Sequence, residues 1–343
     1  MKATMRWWGL RKAAEPSCRR RGGRLWAVYA VAVLFCAFVG FEMYRPAFLL
    51  VGNVTEDIVG SKQRATGGAV TYAASLLGTL GARACVVTSG ASPHDIVALR
   101  GHDVVHVPSQ DTLTFEHSYT WFGHHRKLRV TARPPHAIAI DHIPLRCRLA
   151  RTAVLAPLVS DDVDVENIVH GLTTGLWWAP SFLRPRLAIL AQGLQRTLSD
   201  GRFGAVGHAA GPAPALRARM PGGSLLFLSD VETDTWPAGA VEELAASTGA
   251  TLVITEGAKG AVVLSRGAEG PARRVAPTHV RKVLDTNGAG DSFAAAYLVA
   301  LQWGVEDAGA AASWAGAAAV ARSQGCKPSK HDANVSAKHT SVS

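Results

Sequence analysis

The stretch DTNGAGDSF, Asp285–Phe293, decides how the rest of the chain is read. Three small residues stand between two aspartates, and the apolar run AAAYLVAL follows at once. The backbone N–H groups of a helix's first turn have no internal partner, and the helix dipole is positive there. Glycine lets a bound anion approach that backbone closely. Gly288, Ala289 and Gly290 can therefore cradle the charge of a moving phosphoryl group, with Asp291 opening the helix and accepting a proton from an attacking hydroxyl. The same spacing also describes a plain structural turn with Asp291 as its N-cap. Spacing alone leaves both readings standing.

Outward from this stretch, buried strands alternate with helices. AFLLVGN, ARACVVTSG, DVVHVPS, TAVLAPL, LAILAQG, LLFLSD and TLVITEG are short apolar runs ending in turn residues. GGAVTYAASLLGTLG, DVDVENIVHGL, GAVEELAAST and AGAAASWAGAAAVARSQG read as helices. TLTFEHSYTWFGHHRKLRVTA alternates on both sides of Gly123 and reads as a hairpin, and GAVVLSR as the hairpin partner of TLVITEG. The pattern predicts an α/β fold with a mostly parallel sheet covered on both faces.

The 343 residues suit one large α/β domain or two small ones, and 48% apolar content allows a sizeable core. Of the net charge of +10, residues 1–24 carry +7, which leaves no concentrated basic footprint on the body and argues against nucleic acid as a partner. Five scattered cysteines with no CxxC pair suggest neither a disulfide framework nor a zinc site, in keeping with a reducing compartment. His117, His124 and His125 read as a solvated hairpin tip, with a metal site as the alternative. Trp177 and Trp178 read as packing residues. The uncharged run Leu25–Phe41 follows a cluster of arginines. It suits an uncleaved signal anchor forming a transmembrane helix, or an organelle-targeting leader. A mis-assigned gene start would leave the body cytoplasmic. The expected organisation is a leader over 1–46 with its hydrophobic segment about 25–41, a folded domain over 47–326, and a polar disordered tail over 327–343.

DTNGAGDSF resembles the DTxGAGD signature of the ribokinase-like (PfkB) carbohydrate kinases. VITEGAKGAVVL resembles that family's nucleotide segment, VGNVTEDIV its first strand, and TGGAVTYAASLLGTLG its di-glycine substrate loop, all in the family's order over roughly residues 47–326. TLTFEHSYT, LAPLVSDDVD and AQGLQRTLSDGR resemble most a branch that includes inositol-kinase-like proteins.

The resemblance implies a ribokinase-like fold with a small β lid, reduced here because only nine residues separate Asp57 from Gly67. It implies a kinase using ATP and Mg²⁺ on a hydroxyl of a small sugar or polyol. Asp291 would be the catalytic base and Gly288, Ala289 and Gly290 the anion hole. Thr255, Gly257, Gly260, Asp285 and Thr286 would bind nucleotide, and Asp57, Gly67 and Gly68 the substrate. Glu232 would stand near the metal, with a solvated surface carboxylate as its plain alternative. The chain departs from the family pattern at Tyr72 and Ser229, where asparagines are usual, and it lacks the Gly-x-Asp after the second strand. The short lid leaves homodimerisation open. A membrane-tethered binding or regulatory protein and a nucleoside kinase are the rival functions.

Overall fold

The structure, a computed structural model, describes residues 19–59, 63–91, 96–119, 126–265 and 272–321. The chain divides into two compact units, Met1–Arg45 and Pro46–Ser343. In the first, α1 (Arg19–Tyr44) carries exposed Trp26, Tyr29 and Phe35. The expected membrane-spanning helix is not borne out: no helix among the described residues is long and apolar enough to cross a membrane. The 17-residue run Leu25–Phe41 rises only about 26 Å, short of the roughly 30 Å hydrocarbon core, and then meets Glu42 and Arg45. The 327–343 tail, His124 and His125 lie outside the described residues.

Among the described residues, the second unit holds two sheets. The large one is built from β1 (Phe48–Val51), β4 (Ala84–Gly90), β5 (Asp103–Pro108), β8 (Thr152–Leu155), β9 (Arg186–Leu190), β12 (Leu225–Ser229), β13 (Thr251–Thr255), β14 (Ala261–Leu264) and β15 (Arg273–Val275). Its order is β15-β14-β13-β12-β9-β8-β1-β4-β5, parallel except for the β13–β14–β15 meander. The second sheet, in the order β10-β11-β7-β6-β2-β3, uses β2 (Thr55–Val59), β3 (Gln63–Gly67), β6 (Leu113–Tyr119), β7 (Arg126–Ala132), β10 (Arg196–Leu198) and β11 (Gly204–His208). Its β2–β3 hairpin is short, with five-residue strands.

Strands β1, β4 and β8 are buried on both faces, which is why they read as unbroken apolar runs rather than alternating ones. Phe48, Leu50 and Val154 pack toward α2 (Ala69–Thr79), α7 (Ala289–Gln302) and α8 (Ala308–Val320). Leu49, Val51 and Leu155 face the opposite layer, formed by α3 (Leu145–Arg148), α4 (Val165–Thr173) and α6 (Ala240–Thr248). The four-residue α5 (Asp230–Thr233) follows β12.

Two expectations fail here. Cys85 of β4 and Cys147 of α3 form a disulfide across a sequence separation of 62. The sequence hides this pair because the fold, not local spacing, brings them together, and the argument for a reducing compartment loses its support. Trp177 and Trp178 are exposed rather than packed, because they lie in the irregular segment beyond α4, off the core.

Helices α2 and α7 meet near their N-termini. A Cβ on Gly288 would collide with the ring of Tyr72, and Gly288 also has φ of +71°, a left-handed conformation that disfavours other residues. Gly288→Ala is therefore expected to destabilise the fold by about 2–4 kcal/mol, from the left-handed backbone plus overpacking. Urea denaturation checks this, and Tyr72→Ala in the same chain should restore the overpacking part. A chain beginning at Pro46 is expected to be soluble and to unfold in one cooperative step by circular dichroism, since the core strands all lie beyond that residue.

Candidate active site

Gly288 is the N-cap of α7, so Asp291 is the helix's third residue and not its cap. The loop before it is held by the Asp285 carboxylate, whose Oδ1 accepts from Asn287 N at 2.9 Å, and by Leu284 N donating to Val320 O at 2.8 Å. Asp285 thus shapes the turn, and Thr286 is exposed beside it. The N–H groups of Ala289, Gly290 and Asp291 fall in the first turn, and Ala289 N also reaches Thr286 O at 3.4 Å. Among the described residues nothing lies within 4 Å of where a Cβ on Gly290 would stand, which leaves this corner of the helix mouth open to a ligand.

The other side of Asp291 is apolar. It borders a void of about 10 Å³ lined by Leu50, Leu77, Leu190, Ala295 and Leu298. Burial pushes its carboxyl up to about 6; the charge of Glu232 pushes the same way, and the cation of Arg196 opposes it. Arg196 opens β10, donates through Nη1 to Leu158 O at 2.8 Å, and lays its guanidinium 5.3 Å from the centre of the Phe115 ring. Sequence reasoning missed it, because a single arginine in AQGLQRTLSDGR carries no local signal.

Glu232 is buried, which removes the solvated-surface alternative. Its Oε2 accepts from Ser229 Oγ at 2.6 Å and from Ser229 N, closing a capping box around the start of α5. The serine that departs from the family pattern thus orients this carboxylate. Ser229 lies beside Thr255 across β12 and β13. Thr255 Oγ1 donates to Leu228 O at 3.3 Å. Gly257 has φ of +55° and open space around it, whereas Gly260, at φ +95°, is pressed against the backbone of Val275 and serves the turn. A cleft of about 340 Å³ next to this turn is rimmed by Asp230, Asp234, Glu242 and Glu256, which suits it poorly to phosphate.

Asp57 and Gly67 come together across the β2–β3 hairpin. A Cβ on Gly67 would sit 2.5 Å from Asp57 Oδ2 and 2.7 Å from Thr55 Oγ1, so a larger residue there would push these side chains from their present positions. Thr55 Oγ1 donates to Asp57 Oδ1 at 3.0 Å. Gly68, with φ of +97°, caps α2 and delivers Tyr72 to Gly288. His117, expected at a solvated tip, is instead a buried residue of β6 with Nε2 3.7 Å from Asp57 Oδ2.

Residues 210–332 match the model of the pfkB family carbohydrate kinases. Among solved structures, the fold is similar to a pyrophosphate-dependent myo-inositol-1 kinase converted into a myo-inositol-3 kinase by two substitutions. That match has a TM-score of 0.61 at 18% identity and covers 85% of this chain and 99% of the other. It is similar to the fructokinase of Vibrio cholerae O395, with bound fructose, ADP and calcium ion (TM-score 0.58, 17% identity, 81% and 94% covered). It is also similar to the nucleoside kinase of Burkholderia thailandensis in complex with inosine (TM-score 0.54, 18% identity, 85% and 98% covered). The chain therefore has the ribokinase-like fold, and its residues 210–332 are similar to the pfkB carbohydrate kinases.

Proposed function

We propose that this protein phosphorylates a hydroxyl of a small sugar or polyol with ATP. The observation that carries the reading is Asp291, a half-buried carboxyl in the first turn of α7 beside the open backbone of Gly290. Asp291 takes the proton of the acceptor hydroxyl while the first-turn N–H groups stabilise the charge of the transferred phosphoryl group. Open space at Gly290 fits an anion there. Asp57 and the Gly67-Gly68 turn hold the acceptor, and Thr255 and Gly257 meet the nucleotide. Mg²⁺, when bound, neutralises phosphate charge. Such an ion is commonly held by one or two carboxylates with waters and phosphates, and Glu232, buried with Oε2 fixed by Ser229, fits that role.

The similar structures include inositol, fructose and nucleoside kinases, and three of the similar structures are of pyrophosphate-dependent kinases. The deciding assay therefore pairs myo-inositol, ribose, fructose and inosine with ATP and with pyrophosphate, and measures the phosphorylated product. Turnover of inosine alone would make this a nucleoside kinase. Turnover of none would favour a binding or regulatory protein on the same fold, and Tyr72, packed over the anion loop, is the feature that points that way.

Asp291→Asn keeps size and removes basicity, so kcat should fall roughly 10²–10⁴-fold. In the parent, kcat should fall as pH drops through about 6, where Asp291 takes up its proton. Arg196→Gln removes a cation that favours the ionised form, so it should move that acid limb to higher pH. The stability sign is the opposite of the usual carboxylate case. A raised folded pKa means that the folded state binds more protons, so Asp291 costs stability as pH rises from about 4 to about 6. Asp291→Asn should accordingly stabilise the fold at pH 8 by about 1–2 kcal/mol, measured by thermal or urea unfolding at pH 8 and pH 4.

A further inference from the structure

The second sheet holds a buried polar side chain, His117, apart from the residues of phosphoryl transfer. His117 is 2% exposed, and neither of its ring nitrogens has a hydrogen-bond partner among the described residues. Burying both nitrogens of an imidazole unpaired is costly, and such a group in a native fold calls for an explanation. Its surroundings point to one. Strands β2 and β6 are parallel, with Asp57 beside Phe115 and Val59 beside His117. Alternation along the strands puts Asp57, Phe115 and His117 on one face. Phe115 on that face takes the guanidinium of Arg196, whose charge reaches Asp291. His117 therefore lies on the side of the sheet that serves the transfer residues.

The nearest polar atom is informative. His117 Nε2 is 3.7 Å from Asp57 Oδ2, too far for a direct hydrogen bond. Asp57 is held in place on its other oxygen by Thr55 Oγ1. A group standing about 2.8 Å from each of two atoms this far apart would bond both. With the imidazole proton on Nε2, that group donates to the carboxylate and accepts from the imidazole N–H. A hydroxyl does both; a carbonyl only accepts, an ammonium only donates, and a deoxy carbon does neither.

We propose that His117 is a specificity-determining residue of the acceptor site, which together with Asp57 reads one hydroxyl of the polyol as donor and acceptor at once. The inference rests on the acceptor site placed at Asp57. It explains why the histidine is left unpaired, and it assigns to the second sheet a test for a hydroxyl against a keto or deoxy group. A site built around a substrate hydroxyl rejects the analogue that lacks it, because its own polar groups are then left unpaired.

The test is binding of myo-inositol, ribose and fructose to the full chain by calorimetry, with KM and kcat measured in parallel. His117→Phe keeps the ring and removes both nitrogens. It should weaken binding of the preferred polyol and raise its KM at least tenfold, with kcat and the KM for ATP within about threefold. His117→Gln keeps a side-chain donor near the Nε2 position and should recover most of the loss. In an Asp57→Ala chain, adding His117→Phe should change polyol affinity less than twofold, because the hydroxyl has already lost its partner. Thermal unfolding separates a site effect from a folding defect. Polyol affinity unchanged in His117→Phe would overturn the inference, and so would an equal loss with and without Asp57. A parent chain that binds a polyol but transfers no phosphoryl group would sink the kinase reading and leave the binding comparison to support or overturn His117. A parent that binds none of the three would overturn both.

Discussion

The contact on which the site depends is the ring of Tyr72 against the backbone of Gly288. It joins the first turn of α2 to the N-cap of α7, and each helix start is set by a glycine in a conformation other residues avoid, Gly68 at φ +97° and Gly288 at φ +71°. The hairpin that carries Asp57 leads directly into the first helix, and the anion loop leads into the second. The distance between an acceptor held at Asp57 and the first-turn N–H groups of α7 is thus controlled by how one aromatic ring seats on one glycine. A smaller residue at position 72 would leave the two helix starts free to shift.

Three charged residues then set the protonation of the site. Asp291 has apolar neighbours on one side and the charges of Glu232 and Arg196 within electrostatic reach. Burial dominates, so the carboxyl stays a weak enough acid to exchange protons near neutral pH, which suits a general base. Ser229 fixes Glu232 through a capping box, and Leu158 O and the Phe115 ring fix Arg196, so neither charge can swing away to relieve the carboxyl. The price is a residue that weakens the fold it sits in, a common trade at catalytic positions.

Much of this was legible in the sequence. The alternation of apolar strands and helices gave the large parallel sheet, because strands buried on both faces and helices started by glycines have strong local signatures. Asp285–Phe293 carried the helix start, although the cap fell on Gly288 and not on Asp291. The second sheet was harder. TEDIV and QRATG are too polar and short to announce strands, and β10, at the edge, and its neighbour β11 are short pieces recognisable only from their pairing. Arg196 and His117 were hidden for the same reason: each matters through residues far off in the chain, and His117 in particular sits in a run of polar and aromatic residues that suggests solvent exposure. Glu232 could be named from its motif, but its burial and its bond to Ser229 depend on β12 and α5 meeting as they do.

The disulfide belongs to the opposite layer, and that separates its role from the chemistry. Cys85 packs with Leu49, Val51 and Ile168 on the face covered by α3, α4 and α6, whereas Tyr72 and Asp291 belong with α2 and α7 on the other face. Closing a loop of 62 residues can remove about 4 kcal/mol of unfolded-chain entropy. The bond ties β4, a strand next to the central β1, to the four-residue α3, an element too short to hold itself by its own hydrogen bonds. The anion loop is fixed by glycine conformations and by the Tyr72 ring, none of which touches this layer. The cross-link therefore acts on how long the scaffold survives, while the geometry at Asp291 is decided by the contact between α2 and α7.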